Sequence, residues 1–387
     1  MSEQRETQLS ASLRSPVEEI PATKPQVGPE EGIALCLSGG GYRAMLFHVG
    51  SLWRLNQAGL LPKLDRISSV SGGSITSGVL GINWHNLGFD SHGVGQKFEE
   101  LLVKPVRTLA SHTIDVGAIL GGIFTGSVAH RMADAYRKYL FGHKTLQDLP
   151  DRPRFVLNAT NVQSKALWRF SKPYMRDYHV GEVKNPQVEL AVAVGASSAF
   201  PPVLSPVELD LNESDFTPNS GLDLQRPPFT TQVVLTDGGV YDNLGLETAW
   251  KRYKTVLVSD AGGVYGVEED PKRDWFSHTK RVMDLIDNQV RSLRKRQVVG
   301  SFERGERSGA YWGIWTDITH YGLSDALPCP KDKTQKLANT PTRLEGMESD
   351  LQQRLINWGF AVCDAAIRKH YLPQLAKGTF PYDGGVG

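Results

Sequence analysis

Arg66-Ile67-Ser68-Ser69-Val70-Ser71-Gly72-Gly73-Ser74-Ile75-Thr76 reads as a short β run, a tight turn of small residues and the start of a helix. A serine at such a strand-to-helix corner is held so that its hydroxyl projects from the sheet, with the helix N-terminus beneath it. Strand and helix backbones approach closely there, so the neighbours must be small. Gly72 and Gly73 meet that need on one side and Ser69 on the other, giving Ser-x-Ser-x-Gly in place of the usual Gly-x-Ser-x-Gly. Mixtures of serine and glycine also make ordinary turns, so the stretch acquires meaning only with chemical partners.

A complementary part lies about thirty residues earlier. The apolar run Ile33-Ala34-Leu35-Cys36-Leu37 suits a buried strand and ends in Ser38-Gly39-Gly40-Gly41-Tyr42-Arg43, followed by a helical pattern through Asn56 that Gly59 closes. Amides of Gly39, Gly40 and Gly41, with that of Gly72, can face one spot, and the helix adds the positive end of its dipole. Beside a nucleophilic serine, the natural occupant of this cradle is the oxyanion of a tetrahedral intermediate. The plainer alternative is a loop that packs a helix onto a sheet. Nucleotide readings fit poorly. No lysine follows the glycines as a phosphate-binding loop requires, and Arg43 and Ala44 stand where a dinucleotide fingerprint needs its last glycine.

Two carboxylates compete for the role of base. Val233-Val234-Leu235-Thr236-Asp237-Gly238-Gly239 and Thr255-Val256-Leu257-Val258-Ser259-Asp260-Ala261-Gly262-Gly263 are both apolar runs ending in an acid and small residues. Each aspartate is expected at a strand's carboxyl end, the edge where open α/β sheets place ligands, and each is also a common turn residue.

The glycine loop with Arg43, the elbow around Ser71, Gly195-Ala196-Ser197-Ser198-Ala199-Phe200-Pro201-Pro202 and Asp237-Gly238-Gly239 occur in the order seen in patatin-like phospholipases, which residues 31–263 resemble. The resemblance implies an α/β, three-layer patatin-like fold with a mainly parallel central sheet. It also implies a Ser–Asp dyad, Ser71 as nucleophile and Asp237 as base, with the glycine loop as oxyanion hole. Phe200 would flank an acyl pocket, and Arg43 would brace the glycine loop or approach a lipid phosphate. The expected substrate is a phospholipid or lysophospholipid, cleaved at a carboxylic ester without metal or other cofactor. Ser69 departs from the motif at a position that serves packing.

Composition sets the outer bounds. With 40% hydrophobic and 22% charged residues in 387, the chain is ordinary globular material. Forty-three basic against forty-two acidic residues leave +1, so no nucleic-acid partner is expected. Cys36, Cys329 and Cys363 are odd in number and widely spaced, as suits a reducing, cytoplasmic compartment. Residues 1–29 read as a disordered polar tail without a secretory core, and the most apolar window, 116–124, is about half the length that crosses a bilayer. Membrane contact is therefore expected to be peripheral.

The βαβα order from Ile33 to Leu80 implies parallel strands with the glycine loop and Ser71 at one edge. His48 reads as packing, and Asn158 and Asn161 as hydrogen-bonding braces of that edge. Residues 30–265 are expected as the catalytic core, 266–375 as a helical extension packed on it, and 376–387 as a flexible end. The stretch 113–128 reads either as a cap over the site or as a buried helix. Within the extension, Thr279 to Val299 is a basic amphipathic helix, suited either to anionic headgroups or to packing its apolar face on the domain. Two other functions fit the sequence: an α/β-hydrolase esterase whose triad uses His278, His320 or His370, and a catalytically silent lipid-binding protein.

Overall fold

A computed structural model describes residues 29–114, 127–263 and 266–387. Of the tail expected over residues 1–29, residues 1–28 lie outside the described residues, as does most of the 113–128 stretch. Residues 31–387 form one compact unit built on a ten-stranded sheet. Its strands are β1 (Glu30–Leu37), β2 (Arg66–Val70), β3 (Arg154–Asn161), β4 (Ala166–Phe170), β5 (Tyr174–Asp177), β6 (Gly181–Lys184), β7 (Val207–Asp210), β8 (Gln232–Asp237), β9 (Tyr253–Asp260) and β10 (Ser308–Gly313). The main path runs β10-β9-β1-β2-β3-β4-β5-β6. β1, β2 and β3 are parallel, as are β9 and β10, while β4 to β6 form an antiparallel wing.

Alternation along β1 shows how the layers form. Leu35 and Leu37 enter the larger core, whereas Ala34 and Cys36 enter a second core with Leu244, Val256 and Val298. A strand buried on both faces reads as a continuous apolar run, which is why β1 was legible. On the larger-core side, helix α1 (Gly41–Gln57) lies against the helix that ends the fold, Ser349–His370. Their backbones nearly touch: a Cβ on Gly359 would collide with the Phe47 carbonyl, and one on Gly50 with the Ile356 carbonyl. Ser51 Oγ knits the layer together, donating to the Gly359 carbonyl at 3.1 Å and accepting from Trp312 Nε1 at 2.9 Å.

Residues beyond 265 therefore complete the sheet through β10 and cover α1, rather than adding a helical outwork. The last residues are also held. Asn357 Nδ2 donates to the Tyr382 and Gly385 carbonyls, each at 2.7 Å, and Val386 is buried. No helix among the described residues is long and apolar enough to cross a membrane.

One edge of β3 is shared by two strands. β4 takes one side of β3 over Leu157 to Asn161, so β2 and β8 both use the other. β2 occupies it from Arg154 to Asn158, and β8, antiparallel, occupies Ala159 to Asn161. The two strands run toward each other and stop one register step apart, Val70 opposite Asn158 and Asp237 opposite Ala159. Asp237 does end a strand, as its sequence suggests, but that strand approaches from the direction opposite to β2.

Gly359→Val should destabilise the protein by roughly 3 kcal/mol, because no rotamer relieves a clash with backbone. Denaturant unfolding measures this, and an unchanged midpoint would contradict the close helix crossing.

Candidate active site

Ser71 sits between β2 and helix α2 (Gly72–Ile82) with φ 51° and ψ −121°. That conformation costs a non-glycine residue about 1–3 kcal/mol and persists only where surroundings hold it. Here the holding group is Ser197, the last residue of helix α3 (Leu190–Ser197). The Ser71 amide donates to both the carbonyl and Oγ of Ser197, each at 3.1 Å. Ser197 Oγ in turn donates to the Asn158 carbonyl at 2.7 Å and meets Ser74 Oγ at 2.8 Å. Ser74 Oγ reaches Ser69 Oγ at 3.1 Å, and Ser69 Oγ pairs with Ser77 Oγ at 2.7 Å. The serine that departs from the glycine motif is thus satisfied within a buried hydroxyl network beneath the elbow. A Cβ on Gly72 would strike the Gly41 carbonyl, so here the small residue is required.

Asp237 is fastened by the same segment. Its amide donates to the Ala199 carbonyl at 2.9 Å, and the next amide, of Gly238, donates to the Ser197 carbonyl at 3.3 Å. Asp237 Oδ1 accepts the Gly239 amide at 2.7 Å, while Oδ2 is buried without a partner in hydrogen-bonding geometry. Burial pushes the carboxyl up from 3.8 to about 7, against the Gly239 amide and the neighbouring Ser71 hydroxyl, which pull it down. Ser71 is 8% exposed and Asp237 2%.

The competing Asp260 is committed elsewhere. Tyr311 donates to it at 2.6 Å, the Gly262 amide at 2.9 Å, and Arg291 lies at 3.3 Å. Burial raises its pKa, but Arg291, Lys295 and these hydrogen bonds outweigh burial and leave it lowered. Among the described residues no histidine hydrogen-bonds to Ser71, Asp237 or Asp260, and His278 and His320 are exposed. His48 is structural. Its Nε2 donates to the Ser38 carbonyl at 2.9 Å, Nδ1 meets Ser259 Oγ at 2.8 Å, and burial lowers its pKa to about 4.

The glycine loop divides into two roles. The Gly39 amide, expected as an oxyanion donor, already donates to the Asn243 carbonyl at 3.1 Å, and Gly39 packs close to the Ser71 Cβ. Amides of Gly40, Gly41 and Gly72 make no hydrogen bond to other described residues. Gly41 and Gly72 begin α1 and α2, so two helix N-termini converge beside Ser71. Arg43 is buried and its guanidinium donates to carbonyls of Thr340 at 2.6 Å, Ala261 at 3.1 Å and Ala338 at 3.4 Å. Its guanidinium is thus turned to backbone carbonyls of later segments. Phe200, the residue after Ala199, is 45% exposed.

Asn158 braces the edge, its Nδ2 donating to Ser68 Oγ and the Ser69 carbonyl, each at 2.9 Å. Asn161 turns away to Asp177, at 2.8 Å. Ser197 and Asn243 were missed as site residues. Position in the Gly195–Pro202 segment was the available signal for the first, and nearness to Asp237 for the second.

A family model described as patatin-like phospholipase matches residues 35–250, more than half of the chain. Human GIVD cytosolic phospholipase A2 in complex with methyl gamma-linolenyl fluorophosphonate is similar at 14% identity and a TM-score of 0.47, covering 87% of this chain and 57% of that one. The same human protein in a second structure gives 15% identity and 0.39, covering 66% and 49%. VipD from Legionella pneumophila gives 15% and 0.31, covering 85% and 67%. The chain thus spans about half the length of the human structures it resembles. No curated protein sequence matches it.

Because the folded state binds the Asp237 proton more tightly than the unfolded chain, the stability it contributes is full below pH ~4 and is lost as pH rises through about 7. Asp237→Asn should therefore raise the melting temperature at pH 8, by a free energy on the order of 1–3 kcal/mol, and change it little at pH 4. Calorimetry at the two pH values checks the sign. A melting temperature lowered at pH 8 would mean that burial does not dominate this carboxyl.

Proposed function

The chain belongs to the patatin-like phospholipase family, and from that premise we propose that it is a serine lipid acyl hydrolase acting on phospholipid or lysophospholipid esters, with Ser71 as nucleophile and Asp237 as base. The observation that supports this reading is the end-to-end meeting of β2 and β8, which ends one strand just before Ser71 and the other at Asp237 on the same edge of β3, with the Ser71 hydroxyl among the groups that act on the Asp237 carboxyl.

Serine attacks only when its proton is taken as the bond forms. The Ser71 proton passes to Asp237 Oδ2 while Oγ bonds to the ester carbonyl carbon. Charge developing on the carbonyl oxygen is held by amides of Gly40, Gly41 and Gly72, aided by the N-termini of α1 and α2. Collapse breaks the ester C–O bond. Asp237 returns the proton to the departing alcohol, a lysophospholipid or its deacylated product, and the acyl group remains on Ser71. Water then loses a proton to Asp237 and attacks the acyl carbon, and Ser71 leaves with that proton, releasing the fatty acid. A base is most useful when its pKa lies near the working pH, and burial of Asp237 supports this role without an intervening histidine. Arg43 is a positioning residue that holds the glycine loop through backbone carbonyls.

Ser71→Ala and Asp237→Asn should each lower kcat on a phospholipid substrate by about a thousandfold or more, while Asp260→Asn and the alanine variants of His278, His320 and His370 keep most of it. A silent scaffold would instead show a well-folded wild type that a fluorophosphonate fails to label at Ser71.

With one essential carboxylate titrating near 7, kcat/KM should rise with pH and level off above it, falling about tenfold per unit below. A plateau extending unchanged down to pH 5 would remove Asp237 as the base.

A further inference from the structure

Asn243 follows the short helical turn Gly239–Asp242 and stands four residues after Gly239, the spacing that brings two positions onto one face of a helix. Its side chain therefore comes back over the residues that succeed Asp237. Two glycines let it approach. The space that a Cβ would fill on Gly239 is bordered by Asn243 Oδ1 at 2.7 Å and by Asp237 Oδ1 at 3.0 Å. The corresponding space on Gly39 is bordered by the same Asn243 oxygen and, at 3.1 Å, by the Ser71 Cβ. One carboxamide thus adjoins both members of the proposed dyad, because neither glycine carries a side chain to fill the gap.

The backbone that presents this side chain is held firmly. The Asn243 carbonyl accepts the Gly39 amide at 3.1 Å, and the preceding residue, Asp242, accepts the amides of Leu244 at 3.2 Å and Glu247 at 2.7 Å. Arg294 of helix α4 (Trp275–Glu303) reaches the same Asp242 carboxylate at 3.5 Å and Glu247 at 3.2 Å. These pairs, with Arg291 to Asp260 at 3.3 Å, turn the charged side of α4 toward the domain. Ile286 and Leu293 are left exposed, so the apolar side of that helix is not the one packed inward.

The side chain itself is unspent. An asparagine at a turn commonly bonds to nearby backbone, yet the Asn243 carboxamide makes no hydrogen bond to another described residue. It is half-buried, so water can reach it. Such a group supplies what the hydrolytic step still needs. A water held by Asp237 alone can pivot about that one bond, whereas a water held by two acceptors has its lone pair aimed. An amide oxygen accepts a hydrogen bond without taking the proton, so it does not compete with the base.

We propose that Asn243 is a catalytic residue of deacylation, its side-chain oxygen and Asp237 Oδ2 each accepting one hydrogen of the attacking water. The water oxygen bonds to the acyl carbon as the first hydrogen passes to Asp237. The second hydrogen stays on that oxygen, bonded to Asn243, and becomes the acid hydrogen of the released fatty acid. The bond from the acyl carbon to Ser71 Oγ then breaks, and Oγ takes the proton from Asp237. This deepens the lipid-hydrolase reading and rests on it.

The experiment is stopped-flow hydrolysis of p-nitrophenyl butyrate by the full chain, comparing wild type with Asn243→Ala and with Asn243→Leu, which keeps the shape of the side chain. Labelling of Ser71 by a fluorophosphonate is timed in parallel. Because p-nitrophenolate leaves without a proton, acylation by this ester does not call on the asparagine, whereas deacylation does. Both variants should label within about twofold of the wild-type rate, release a burst of about one equivalent of p-nitrophenol, and then turn over about tenfold or more slowly. Variants whose steady rate equals that of wild type overturn the proposal. A burst slowed as much as the steady rate overturns it as well, since the side chain would then serve acylation. Loss of labelling in both variants also overturns it, by making Asn243 a support of the elbow. Wild type that neither labels nor hydrolyses sinks the hydrolase reading and this inference with it, whereas wild type that does both beside unimpaired variants sinks this inference alone.

Discussion

Edge-sharing on β3 organises everything near Ser71. A strand edge offers a limited run of backbone donors and acceptors, and here β2 uses the first part and β8 the remainder. Hydrogen bonding therefore dictates where both chains must stop. Since β2 continues into Ser71 and β8 ends at Asp237, two residues far apart in sequence are brought together by ladder geometry. The end of α3 then pins both turns, Ser71 and Gly238 donating to the same Ser197 carbonyl. A site built on strand ends and a helix end is more rigid than one on free loops, which suits the proton transfer proposed for it.

Such an arrangement is costly to the fold. Ser71 is kept at positive φ, and Asp237 is buried with one oxygen unpartnered. The hydroxyl network under the elbow and the large core on α1 offset that cost. Strain and desolvation concentrate where chemistry is expected, a distribution common to active sites.

Much of this was readable from residue order. The apolar runs of β1, β3, β8 and β9 announce buried strands, β2 is marked by the small-residue turn that follows it, and the ends of these strands carry Gly39 to Gly41, Ser71 and Asp237. β5, β6 and β7 escaped because each has four residues with a charged member among them, too short for a period to emerge. α4 was legible as a helix but not in its orientation. Which side faces inward is decided by Asp242, Glu247 and Asp260 on other elements, and no pattern within the helix encodes their positions. Nor does local sequence reveal that the Gly39 amide is taken by Asn243 or that Arg43 is spent on carbonyls, since both depend on distant backbone.

Those distant carbonyls bear on when the candidate site can form. The guanidinium that steadies the glycine loop is clamped by Ala338 and Thr340, the Tyr42 amide is received by Arg343, and α1 is roofed by the final long helix. A nascent chain still lacking these segments already holds its serine and its aspartate, yet has nothing to set the donors between them. Assembly by such long-range contacts is slow and late. In the hydrolase proposed above, the serine and the aspartate thus precede the groups that set the donors between them, and the segments around 338–343 and the final helix must join the fold first.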